Sequence, residues 1–89
     1  MSTKTRVETM LRTFASFRDD DQLLMANFWA AECAEKGIER SHFLQQFADG
    51  AFTSPESIRR IRQKLQEENP ELRGKSYAKR QQLGKEFTL

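Results

Sequence analysis

Arg59, Arg60, Gln63 and Lys64 fall within six consecutive positions, RRIRQK. Arginine and glutamine carry planar groups that make paired hydrogen bonds to guanine and adenine edges, while lysine is a point charge suited to a phosphate. The chemistry these residues could do is therefore recognition of nucleic acid. They sit in residues 43–65, FLQQFADGAFTSPESIRRIRQKL. Ile58, Ile61 and Leu65 recur at i, i+3 and i+7 and share one face of a 3.6-residue helix, which leaves Arg59, Arg60, Arg62, Gln63 and Lys64 toward solvent. Ser57 joins the candidate base-facing set. Ser54 and Lys64 are expected near phosphates, and Arg73 is free to reach one.

Other chemistry finds little support. The single histidine, His42, has no cysteine near it in sequence and reads as a partly exposed helix residue. The single cysteine, Cys33, excludes an intrachain disulfide and a cysteine-rich zinc site, and among alanines it reads as a small core residue. Asp19, Asp20 and Asp21 are consecutive and point in different directions, whereas a calcium loop needs spaced oxygen ligands and a later glutamate. Helix capping accounts for them better. No glycine-rich phosphate loop or nucleophile elbow is present. Neither an enzyme, a cofactor nor a metal is expected.

The elements that must carry the basic stretch are helices. Residues 4–17 hold Val7, Met10, Leu11, Phe14 and Phe17 at helical spacing. The acidic run ends that helix and caps a second over residues 20–36, whose broad apolar face (Leu23, Leu24, Phe28, Trp29, Cys33) marks it as central. Gly37 ends it. A third helix opens near Ser41 as N-cap and spans 41–49 with Phe43, Leu44 and Phe47 inward, and Gly50 stops it. The fourth spans 54–68. Ser54 followed by Pro55 is a strong start signal, with Thr53 and Glu56 as a second registration in capping-box form, and Asn69-Pro70 ends the element. No strand pattern competes. The expected fold is all-α: a compact four-helix, helix-turn-helix-like domain over residues 1–70, with a basic extension at 71–89. That extension is either docked, as a short fifth helix near 76–83 with Phe87 or Leu89 tucking back, or mobile. Phe14, Leu24, Phe28, Phe47, Ile58 and Ile61 are expected among the most buried side chains. Trp29 is ambiguous between core and a partner surface.

Composition bounds the function classes. Eighty-nine residues, 37% hydrophobic and 31% charged, make one small domain without room for an interdomain cleft. No apolar run approaches the roughly 18 residues of a membrane span, and no signal peptide is apparent, so a cytoplasmic location is expected. The net charge of +2 is unevenly spread. Residues 1–54 carry six Lys/Arg against eight Asp/Glu, and residues 55–89 carry nine against five. Positive charge thus collects in the fourth helix and beyond, a footprint suited to phosphate contact.

Residues 53–74, TSPESIRRIRQKLQEENPELRG, preceded by Asp20, Asp21, Leu23, Leu24, Phe28 and Trp29, resemble a pattern in small helical proteins encoded by bacteriophages and prophages. The resemblance implies a bacterial host cell and a helix-turn-helix-like fold; it supplies no target sequence. Two functions remain in view. The first is a regulatory helix-turn-helix protein that reads double-stranded DNA with the helix at 54–68. The second is an adaptor or inhibitor that binds a host or phage protein through the Trp29 region or the basic helix, without nucleic acid.

Overall fold

The computed structural model describes residues 2–80. All regular structure among them is helical: α1 (Thr3–Thr13), α2 (Asp21–Lys36), α3 (Phe43–Ala48) and α4 (Pro55–Glu68), with 3-10 turns at Ala15–Arg18, Arg40–His42 and Pro70–Leu72. Residues 77–80 are helical as well. The expectations for Leu83, Phe87 and Leu89 lie outside the described residues.

Side-chain caps fix where three of these helices begin. Ser2 Oγ accepts from Thr5 N–H, Asp20 Oδ1 from Leu23 N–H and Ser54 Oγ from Ser57 N–H, each satisfying an otherwise orphaned donor of a first turn. Pro55 at the first position of α4 has no N–H to lose. Thr53, the alternative cap, is used differently: its N–H and hydroxyl both donate to Glu32, at 3.0 and 3.1 Å. Gly37 and Gly50 end α2 and the α3 turn with φ of 68° and 83°, a region that side-chain-bearing residues avoid. Ser41 does not cap α3. It sits inside the 3-10 turn, and His42 takes the cap position without a side-chain bond.

α1 is shorter than its periodicity suggests. Phe14 leaves the helical region at φ −126°, and the chain tightens into the 3-10 turn. Two contacts made by that turn account for the early stop. Arg18 Nε donates to the Leu11 carbonyl at the frayed end of α1, and Phe17 swings into the core in place of Phe14. Phe14 is therefore 52% exposed, its ring 4.9 Å from that of Phe17, and its expected place in the core is overturned.

The core comprises Val7 and Leu11 of α1, Phe17 of the 3-10 turn that follows, Leu24, Met25 and Phe28 of α2, Ile58 and Leu65 of α4, and Leu72. Each such side chain withdrawn from water contributes about 1.5–3 kcal/mol. Ile61 and Trp29 pack on its edge and are only partly buried. A second packing centre is aromatic: Trp29, Phe43, Phe47 and Phe52 lie with neighbouring ring centroids 5.0–5.6 Å apart. It holds α3 to α2, and Phe47 is half-buried there rather than in the main core.

Candidate nucleic-acid interface

α4 packs on α1 and α2 through a face broader than Ile58, Ile61 and Leu65 alone. Arg62, expected in solvent, is 3% exposed, and Gln66 is fully buried. Arg62 Nε lies 2.7 Å from Asp21 Oδ1 at the start of α2, and its Nη1 donates to Gln66 Oε1 at 3.0 Å. Arg62 Nε and Asp21 Oδ1 meet as an ion pair without an aligned hydrogen bond, and the hydrogen bond between the two side chains runs from Nη2 to Oδ2 at 3.2 Å. Gln66 Nε2 then donates to the carbonyls of Arg18 and Leu72, both at 3.1 Å. Burial pushes the Arg62 guanidinium below its ordinary value, and the Asp21 carboxylate pulls it back up. An arginine four residues before a glutamine carries no signal of burial in sequence. Only the acidic run at 19–21 hints at a partner.

The same acidic corner holds the chain beyond α4. Asp19 accepts from the Ser76 N–H at 2.6 Å, and Arg80 donates to the carbonyls of Arg18 and Asp19 at 3.1 Å. The backbone hydrogen bond from Ser76 holds the Asp19 carboxyl below the usual carboxylate range. Gly74 passes so close that a Cβ there would stand 2.3 Å from Asp19 Oδ1.

With its inner face committed, α4 turns Ser57, Arg60, Gln63 and Lys64 outward, and all four are exposed. Arg60 is 75% exposed and, among the described residues, pairs only with Glu56 one turn earlier, at 2.7 Å. Arg59 lies on the flank, 3.8 Å from Asp21, still half-exposed. Ser54 and Arg73 are spent on the ends of the helix. The Ser54 hydroxyl caps the first turn and donates to Ser57 Oγ at 2.9 Å. Arg73 donates to the carbonyls of Gln66 and Glu67 at 2.6 and 2.9 Å and stacks over Tyr77 at 4.3 Å, so it neutralises the carbonyl end of α4 rather than reaching outward. The structure thus brings four of the seven expected residues onto one surface, puts Arg59 at its margin, and uses two as terminal locks.

The turn before α4 is held just as firmly. Trp29 Nε1 donates to the Thr53 carbonyl at 2.9 Å, Glu32 receives Thr53, and the Lys36 ammonium donates to the Ala51 carbonyl. Three residues of α2 thereby fix the entry angle of α4. On the other side of Trp29 runs an open apolar groove of about 640 Å³, walled by Met25, Ala26, Ala30, Cys33, Phe43 and Pro55 with Arg40 at its rim.

No family model, curated protein or solved structure matches this chain. Among the described residues no helix is long and apolar enough to cross a membrane, and no group of histidine, cysteine and carboxylate side chains could hold a metal ion.

Proposed function

We propose that this chain is a small phage-type regulator in the bacterial cytoplasm that binds double-stranded DNA with the outward face of α4, without catalysis or a cofactor. The observation that carries the reading is the division of labour along α4. Arg62 and Gln66, which could have faced water, are locked inward, while Ser57, Arg60, Gln63 and Lys64 project together from a rigid, capped helix. A rigid helix that presents arginine and glutamine suits paired hydrogen bonds to base edges in a major groove. Gly50 and the capped Ser54 supply the turn between α3 and α4. Arg60 and Gln63 read bases in this account, Arg59 touches the backbone from the flank, and Lys64 neutralises a phosphate.

Fluorescence-anisotropy titration of duplex DNA over a salt series tests the reading. Arg60→Ala should weaken binding to a preferred site by about 1–3 kcal/mol. Lys64→Ala should weaken all sequences alike and flatten log affinity against log salt by about one unit. A parent protein that binds no duplex at micromolar concentration and about 50 mM salt ends the DNA reading, since phosphate attraction is strongest there.

A second reading is favoured by the groove beside Trp29, whose apolar walls suit an adaptor or inhibitor that docks a protein segment. On that reading Ala30→Glu abolishes capture of the partner while Arg60→Ala does not, and no duplex is bound by either variant or the parent.

A further inference from the structure

The packing of α1 on α4 brings Lys4, in the first turn of α1, beside Lys64, across a depression of about 220 Å³ floored by Ile61 and Leu65. Both lysines are exposed, and neither forms an ion pair or hydrogen bond among the described residues. Of the carboxylates about one turn from them, Glu8 holds Arg12, while Glu67 and Glu68 follow Lys64 on α4, exposed and without an ion pair among the described residues. Two like charges facing each other without a carboxylate between them repel. An anion seated between them reverses the sign of that interaction. Lys4 is also poorly explained by helix stability. The first turn of α1 contains no acidic residue, and a cation there opposes the positive end of the helix dipole. Lys64 lies one turn beyond Arg60 on α4, so Lys4, Lys64 and Arg60 form one continuous basic strip across two helices.

We infer that Lys4 and Lys64 together clamp a backbone phosphate of duplex DNA, which extends the contact surface from α4 to the N-terminal end of α1. This rests on the DNA reading of α4 and adds to it a second helix and the residue that anchors it. In mechanical terms, α4 lies in the groove while α1 straddles the neighbouring strand. A helix held at two non-collinear points cannot roll in the groove, so the clamp sets the angle at which Arg60 meets the bases.

Lys4 is exposed and outside the core, so its replacement leaves the fold intact, as a circular-dichroism melt would verify. The test is the salt dependence of affinity of the full chain for a mixed-sequence duplex of about two helical turns. Each phosphate contact contributes about 0.9 to the slope of log affinity against log salt. Because both lysines serve the same phosphate, Lys4→Ala should lower the slope by about one unit, Lys64→Ala by a similar amount, and the double variant by no more than either alone. Lys4→Arg should restore it. A Lys4→Ala slope equal to that of the parent overturns the clamp while leaving the α4 reading in place. Loss limited to single-stranded RNA, with duplex binding unchanged, overturns it as well. A parent that binds no duplex overturns both.

Discussion

Asp21 and Arg62 show how single side chains decide the geometry of this domain. A buried ion pair contributes little net stability, because desolvation of both groups offsets most of the attraction, yet removing one partner strands the other. Asp21→Ala should therefore cost roughly 3 kcal/mol in urea unfolding, since among the described residues Arg62 has no other carboxylate so close. The double variant Asp21→Ala with Arg62→Met should recover part of that loss. A double variant no more stable than the single would mean that packing, and not stranded charge, dominates. Gly74 is governed by the same corner. Gly74→Ala should displace residues 74–80 and lower the melting temperature, and Asp19→Ala in the same chain should relieve the clash by removing the atoms the new methyl group meets. Asp19 also sets an acid limit. Its carboxyl is depressed in the folded state, so the folded state binds the proton less tightly than the unfolded chain does. The stability it contributes is fully present above the ordinary value of about 3.9 and is lost as pH falls through the lower folded value. Asp19→Asn should flatten the stability profile in that acid window and leave its shape near neutrality unchanged.

At the scale of elements, local signals decide most boundaries and tertiary contacts decide the rest. Ser54-Pro55, Gly37, Gly50 and Asn69-Pro70 act through backbone chemistry that is complete within a few residues, so they are legible in the sequence. Ser54→Ala should cost about 1 kcal/mol and fray the first turn of α4, measurable as faster amide exchange at Ser57. It should also weaken any DNA contact made by that turn without changing the salt slope. The end of α1 is not legible. Its apolar spacing continues to Phe17, and only the competition between Phe14 and Phe17 for one place in the tertiary core, with Arg18 holding the Leu11 carbonyl, breaks the helix at Thr13. Thr53 misleads for a similar reason. A capping box is a local pattern, but Glu32, twenty-one residues away, takes both of its donors. Of the candidate interface, the exposed stripe of α4 follows from periodicity. The inward turn of Arg62 and the locking of Arg73 depend on partners that no spacing rule reveals.

At the scale of the whole molecule, two packing centres meet at adjacent residues of α2. Phe28 enters the aliphatic core between α1 and α4, 1% exposed, while Trp29 turns about 100° away into the aromatic cluster that carries α3. Sequence periodicity merges these centres, because it assigns a face but not the neighbour that covers it; this is why Phe28 and Phe47 look equivalent before the fold is known. They are not equivalent in environment. A domain of this length has a total stability of only about 4–13 kcal/mol. Phe28→Ala opens a cavity at the junction of three helices and should cost about 3–5 kcal/mol, a large share of that total. Phe47 is half-buried, and water can occupy much of the space its ring leaves, so Phe47→Ala should cost roughly half as much. The two losses should differ in kind as well. Phe28→Ala weakens the whole cooperative unit, whereas Phe47→Ala loosens α3 and the 49–53 turn while α1, α2 and α4 keep their mutual contacts. Hydrogen exchange should then show α3 amides exchanging faster in Phe47→Ala with α1 protection nearly unchanged, and a uniform loss of protection across all helices in Phe28→Ala. Equal melting temperatures for the two variants would mean that the aromatic cluster and the aliphatic core unfold as one.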